Sequence, residues 1–350
     1  MKRIVVTGGL GYIGSHTVVE LLNKGYEVII IDNLSNSSLD VQNGIEKITG
    51  KAVVVNILDL TNREEVLNFF SKNSDIDGII HFAAYKAVGE SVENPLMYYE
   101  NNLYSLINLL KACKNYSLKA NFIFSSSCTV YGNANDLPIH ETSPTPSAAS
   151  PYGNTKQICE EILRDASVSE EDINVISLRY FNPIGAHPSA LIGELPLGKP
   201  QNLVPYITQT AAGVLDQLTV FGSDYNTNDG TCIRDYIDVM DLAEAHVAAL
   251  ELLSNSRNTS KFEVFNLGTG KGTSVLEIIQ TFEEVAKIKL DYCFGGRRSG
   301  DVEAIYANTK KANTILGWTT KTCLSDSIKN AWKWEQKIRC KDSFEYVLLE

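Results

Sequence analysis

From residue 3 to about 180 the chain alternates short, β-branched apolar runs with stretches whose apolar residues recur every three or four positions. Runs of the first kind are strands buried on both faces; stretches of the second kind are helices with one apolar side. The pattern predicts strands over 4–7, 27–31, 52–56, 78–82, 121–125 and 175–179. It predicts helices over 13–24, 63–72, 95–115 and 152–166, the last opened by Ser150 as N-cap with Pro151 in its first turn. Strands and helices in this order form a doubly wound parallel α/β sheet of Rossmann type, whose ligands sit beyond the C-terminal ends of the strands.

After Phe181 the rhythm fails. Residues 182–205 carry repeated proline and glycine with little periodicity, as in a loop-rich segment covering a ligand. Strands over 218–221 and 264–267, and helices over 239–253, 274–286 and 324–337, follow, with the polar tract 254–260 as an exposed loop. The expected division is a first domain over 1–181 and a smaller, mixed α/β, ligand-facing domain over 182–350, with some later segments rejoining the first sheet.

The composition is that of a globular protein, 44% hydrophobic and 21% charged over 350 residues. A formal net charge of −11 opposes a nucleic acid or an anionic membrane as partner, so a phosphate ligand must be met by local positive groups. The N-terminus lacks the apolar core of an export signal, and apolar runs are interrupted well before membrane-spanning length. Seven scattered cysteines with no C-x-x-C pair fit reduced thiols in a cytoplasm, and the five histidines show no metal-ligand spacing.

Candidate chemistry begins at Thr7-Gly8-Gly9-Leu10-Gly11-Tyr12-Ile13-Gly14, between the first strand and the first helix. Glycines there permit a tight turn and close backbone approach, and the helix N-terminus offers N–H groups to a pyrophosphate. Asp32, at the end of the second strand, suits the ribose hydroxyls of an adenosine and would repel a 2′-phosphate. Residues 33–38 contain no lysine or arginine, so NAD is preferred over NADP. Asp59 and Leu60 after the third strand suit the adenine, and Phe82, Ala83 and Ala84 after the fourth suit the pyrophosphate path.

At the other end of the cofactor path lie Ser125, Ser126 and Ser127, followed by Tyr152 and Lys156 one helical turn apart. A phenol with pKa about 10 is ionised in only about one part in a thousand at pH 7, a deficit of roughly 4 kcal/mol. An ammonium within about 4–6 Å lowers that deficit, and an oxidised nicotinamide lowers it further. The spacing recurs at Tyr306 and Lys310, but no serine-rich strand end precedes that copy. Tyr152, Lys156 and Ser127 are therefore the candidate catalytic group.

The glycine loop, the serines and the Tyr152–Lys156 pair resemble the extended short-chain dehydrogenase/reductase family. Three further strings extend the resemblance, over nearly the whole chain, to its UDP-sugar 4-epimerases: Lys86-Ala87-Val88-Gly89-Glu90-Ser91-Val92, Arg179-Tyr180-Phe181-Asn182-Pro183-Ile184-Gly185-Ala186-His187-Pro188 and Arg234-Asp235-Tyr236-Ile237-Asp238-Val239. The resemblance implies that Tyr152 removes the sugar 4-hydroxyl proton, directly or through Ser127, while hydride passes from C4 to NAD. The keto sugar then turns over and receives hydride on its other face, interconverting UDP-glucose and UDP-galactose. It implies a cofactor set of Gly8, Gly11, Tyr12, Ile13, Gly14, Asp32, Asn33, Asn36, Asp59 and Leu60, continued by Phe82, Ala83, Ala84, Lys86, Asn101, Ser125, Tyr152, Lys156 and Tyr180.

On the UDP-sugar side it implies Lys86, Ser127, Tyr152, Phe181, Asn182, Asn202 and Leu203 near the sugar nucleotide. Phe221 falls beside the uracil, Arg234 and Arg298 at the diphosphate, and Asp301 at the uridine ribose. Ile305 occupies the position that limits the sugar's C2 substituent, where tyrosine restricts and smaller residues admit N-acetyl groups. No metal is implied, and a homodimer is. A 4,6-dehydratase needs an acid after the serine, and a decarboxylase usually carries glutamate there; Cys128 supplies neither. A non-catalytic NAD sensor would not need Ser127, Tyr152 and Lys156 together.

Overall fold

Residues 1–132, 136–170, 172–298 and 301–340 are described by the computed structural model. Its first half runs β1 (Arg3–Thr7), α1 (Tyr12–Asn23), β2 (Glu27–Asp32), α2 (Asp40–Thr49), β3 (Val54–Ile57), α3 (Arg63–Lys72) and β4 (Gly78–His81). It continues through α4 (Val88–Glu93), α5 (Pro95–Asn115), β5 (Asn121–Ser125), a 3₁₀ turn over Cys128–Tyr131, α6 (Pro151–Ser169) and β6 (Asn174–Tyr180). The second half holds β7 (Asn182–Ile184), α7 (Leu203–Ala211), β8 (Leu218–Phe221), β9 (Ile233–Arg234), β10 (Tyr236–Asp238), α8 (Val239–Ser254) and β11 (Phe262–Leu267). Then come β12 (Thr273–Ser274), α9 (Val275–Ala286), β13 (Tyr292–Gly295), β14 (Ala304–Ile305), a π-helical turn over Ala312–Leu316 and α10 (Leu324–Arg339).

Seven of these strands form one parallel sheet in the order β11-β6-β5-β4-β1-β2-β3. The strand period of two sends alternate residues to opposite faces. Ile4, Val6, Ile30, Ile80 and Ile123 pack with Val18 and Val19 of α1 and Leu242 and Ala245 of α8. Val5, Ile29, Ile79, Phe122 and Phe124 pack with Val66, Leu106, Leu109 and Leu163 of α3, α5 and α6. Burying each such side chain stabilises by about 1.5–3 kcal/mol, which is why the two-sided apolar runs are strands rather than helices. A separate cluster under Ile184, Val204, Val220, Phe282 and Ile328 serves the short strands and α7, α9 and α10.

The main elements fall where the pattern predicts them, and Ser150 accepts from the Gly153 N–H at 3.2 Å as the N-cap of α6. The third strand is displaced to Val54–Ile57, at the sheet edge. One helix begins where sequence signals argued for loop, and α2 lies in a segment for which no element was predicted. Within α2 a Cβ on Gly44 would stand 2.5 Å from the Leu191 carbonyl, so the glycine serves a close approach. In α7 Pro205 lies in the first turn, where its missing N–H costs nothing, so the loop expected over 182–205 ends in a helix and begins with β7. The strand β11 and helix α8 return to the first sheet.

Candidate active site

The glycine loop leaves β1 with Gly8 at φ +65°, and a Cβ there would lie 2.8 Å from the Ala83 backbone N. At Gly14 a Cβ would meet the Gly8 carbonyl at 2.2 Å, so α1 rests on the loop only as glycine. Gly11 is the N-cap of α1; no side chain caps it and no acid lies in its first turn, which leaves that helix end free for an anion. Beside it Asp32 is buried, its Oδ2 accepting from Leu10 N at 3.0 Å and its Oδ1 from Leu34 N and Ser37. Each oxygen keeps lone pairs for a ribose. Burial tends to raise the pKa of Asp59, but hydrogen bonds from Thr61 and Asn33 outweigh it and hold the carboxyl low. Asn33 thus reaches Asp59, whereas Asn36 is exposed and Leu60 is buried in the core beneath. A dinucleotide fits this cradle on the glycine geometry alone.

Tyr152 and Lys156 lie on α6 with 5% and 4% exposure, and Ser127 at the end of β5 with 6%. The Lys156 Nζ donates to the Ser125 carbonyl at 2.8 Å and lies 5.9 Å from the centre of the Tyr152 ring. Burial pulls Lys156 down to about 8, opposed by Cys159 and Glu160. Tyr152 departs from the expected lowering. Burial and then Tyr180 push its pKa well above 10, and the hydrogen bond with Ser127 only partly opposes them. The phenol of the ligand-free protein is therefore protonated, and the ammonium alone does not make it a base. A positive group brought next to it by a ligand is what the site still requires.

Tyr12 donates to the Gly185 carbonyl at 2.7 Å, joining the cofactor loop to the start of the substrate segment. The Phe82 ring lies 4.7 Å from His246, tilted by 41°, and Tyr180 lies 6.4 Å from the same ring. Asn101 donates to Asn102, and Asn102 in turn ties Tyr85 to Thr155 of α6. Phe181, Ile305 and Cys128 share one buried cluster, so Ile305 reaches the catalytic strand end. Burial pushes Cys128 up to about 12, against the pull of nearby Arg234, so it stays a neutral thiol.

The remaining residues expected on the substrate side form two groups. Phe221, 45% exposed, lies 5.8 Å from the Arg298 guanidinium, and Arg298 and Arg234 both engage Asp301, at 2.8 and 3.4 Å. Asp301 thus pairs with both arginines. Ile305 pairs in register with Arg234 through β14 and β9. In the second group Lys86 Nζ and Asn202 Nδ2 both donate to Glu194 Oε1, at 3.3 and 2.6 Å, Leu203 opens α7, and Asn182 opens β7. Glu194 is the site residue the sequence concealed: it lies amid the proline- and glycine-rich segment, and nothing local ties it to Lys86. Trp334 of α10 fixes it, donating to the Glu194 carbonyl at 2.8 Å.

This sheet, glycine loop and Ser–Tyr–Lys group define a nucleotide-dependent dehydrogenase of the short-chain type. A family model described as GDP-mannose 4,6 dehydratase matches residues 5–331. The UDP-glucose 4-epimerase of Bacillus subtilis is 50% identical over 332 residues, covering 95% of this chain and 96% of the relative. Among solved structures, the UDP-glucose 4-epimerase of Bifidobacterium longum in complex with NAD+ and UDP superposes with a TM-score of 0.91 at 46% identity, covering 96% of this chain and 98% of that one. The enzyme of Stenotrophomonas maltophila with bound NAD and formylated UDP-arabinopyranose gives 0.92 at 44% identity, covering 97% and 99%. The chain belongs to this family, on its UDP-glucose 4-epimerase branch.

Proposed function

We propose that the protein interconverts UDP-glucose and UDP-galactose by inverting the sugar at C4, with NAD as resident cofactor. The observation that carries this reading is the buried Ser127, Tyr152 and Lys156 group at the strand ends of a chain half identical to UDP-glucose 4-epimerase. Tyr152 takes the 4-hydroxyl proton, Ser127 bridges sugar and phenol, and Lys156 orients the pair from the Ser125 carbonyl. The glycine loop over 8–14 and Asp32 would hold NAD, which when bound would supply the acceptor and donor of the C4 hydride. Arg234 and Arg298 exchange Asp301 for the diphosphate, supplying positive charge that the acidic chain otherwise lacks.

The division of labour is a cofactor domain over 1–181 and a mainly substrate-binding domain over 182–350. Elimination of water, the reaction named by the matching family model, has no acid to drive it, since Cys128 is a neutral thiol. Ile305 leaves more room at C2 than a tyrosine, so N-acetylated UDP-sugars are second substrates, and Ile305→Tyr narrows the ratio toward the plain sugars. In this reading the protein works in the cytoplasm as a homodimer. None of the described helices is long and apolar enough to cross a membrane. Val88, Val92, Leu96 and Tyr104 expose 49%, 62%, 79% and 53% of their surface along α4 and α5, a face that a second copy would cover. The deciding experiment is incubation of purified protein with UDP-galactose and no added reductant. UDP-glucose should accumulate to equilibrium; folded, NAD-loaded protein that forms none refutes the proposal.

A further inference from the structure

Glu160 lies one turn beyond Lys156 on α6, and its side chain and that of Arg179 on β6 are only 4% and 6% exposed. Five hydrogen bonds converge on its carboxylate. Ser126 donates at 2.7 Å and Ser177 at 2.8 Å, Arg179 Nε reaches both oxygens at 2.9 and 3.2 Å, and Arg179 Nη2 donates at 2.5 Å. Arg179 Nη1 is buried without a hydrogen-bond partner among the described residues, and the guanidinium carbon lies 4.8 Å from the centre of the Tyr131 ring. Withdrawing two charges from water is costly, and an apolar pair of similar volume holds a helix to a sheet at least as well. Stability alone does not account for the pair.

Its place in the chain does. Ser126 stands between Ser125, whose carbonyl receives the Lys156 ammonium, and Ser127, whose hydroxyl pulls the pKa of the Tyr152 phenol down against burial. We infer that Glu160 is a positioning residue: by holding Ser126 and Arg179 it sets the end of β5 against α6, so that carbonyl meets ammonium and hydroxyl meets phenol. The inference rests on the reading of Tyr152 and Lys156 as the catalytic pair. The carboxylate has a second effect. Titratable groups facing Lys156 are Tyr152, Cys159 and Glu160 from α6 and His81 from β4, with Arg179 beyond Glu160. Burial pushes Cys159 up to about 12 and His81 down to about 3, so both are neutral, and Glu160 supplies the negative charge that keeps the buried ammonium protonated.

The test removes both charges at once, because Glu160→Gln alone would strand a buried arginine. In NAD-loaded Glu160→Gln/Arg179→Gln, kcat for UDP-galactose should fall about 30-fold with KM within about 2-fold, since Glu160 does not touch the substrate. The alkaline limb of kcat should move down by about one pH unit. A folded double variant with the parent's kcat and pH profile overturns the inference. If that variant does not fold, Glu160→Asp keeps the charge and draws the carboxylate back by one methylene. Its kcat should fall with the alkaline limb in place, and an unchanged kcat overturns the inference equally. Parent and Tyr152→Phe are measured alongside. A parent without turnover refutes the reading of the site, whereas an active parent, a silent Tyr152→Phe and an unchanged Glu160 variant refute the positioning role alone.

Discussion

Tyr152 and Lys156 both lie on α6 and are both buried, whereas Tyr306 follows the two-residue strand β14 and Lys310 stands exposed at the start of the next helical turn. Between Tyr306 and Lys310 the chain is not helical: the Tyr306 carbonyl accepts from Ile139 N at 2.9 Å, and Ala307 bridges to Ile139. A separation of four places two side chains on one face only where the intervening backbone is helical. The same letters therefore describe two buried side chains on one helix in one place and residues with no shared face in the other.

Phenylalanine replacements test the contrast most strongly. Tyr152→Phe should lower kcat by about 10³-fold, the scale of a lost general acid–base group, while Tyr306→Phe stays within about 2-fold. Comparable losses in steady-state assays of the two would break the comparison. The lysines come next. Lys156→Met removes the ammonium from beneath the Ser125 carbonyl and should cost about 100-fold in kcat, whereas Lys310→Met should cost nothing measurable. A Lys156 variant with full turnover would leave Tyr152 to act without its neighbour.

What the sequence made legible in this contrast was local. The uninterrupted apolar runs of β1 and β2, the glycines opening α1 and the Ser150-Pro151 start of α6 each report on residues a few positions apart, and all three appear as expected. The hidden parts are made by segments distant in the chain. Glu194 acquires its role from Lys86, Asn202 and Trp334, and Glu160 from Ser126, Ser177 and Arg179. Pro205 misdirects because its usual meaning, a broken helix, gives way to a first-turn position. The rise in the Tyr152 pKa was invisible for the same reason: burial is a property of the assembled sheet and helix rather than of the spacing.

The smallest expected difference concerns the histidine beside each copy. His81 is buried, its Nδ1 2.7 Å from Thr7 Oγ1, and burial and then the Lys156 charge push its pKa down to about 3. His140, whose ring reaches Asn308 at 3.5 Å beside the second copy, is exposed. A histidine whose folded pKa is depressed contributes stability that is whole above its unfolded value, near 6.5, and is lost as the pH falls toward the folded value. His16 and His246, lowered by burial to about 3 and about 4, act in the same sense. Asp238, raised by burial to about 6, acts in the opposite one: its contribution is whole below the unfolded carboxylate range and lost as the pH rises through 6. Comparing parent with a single variant isolates His81 from these. Below about pH 6.5, His81→Gln should be spared roughly 1.4 kcal/mol of destabilisation per pH unit, seen as a shallower fall of Tm by about 2 °C per unit. Parallel Tm curves for parent and His81→Gln between pH 7 and pH 5 would mean that burial beside Lys156 does not hold His81 neutral.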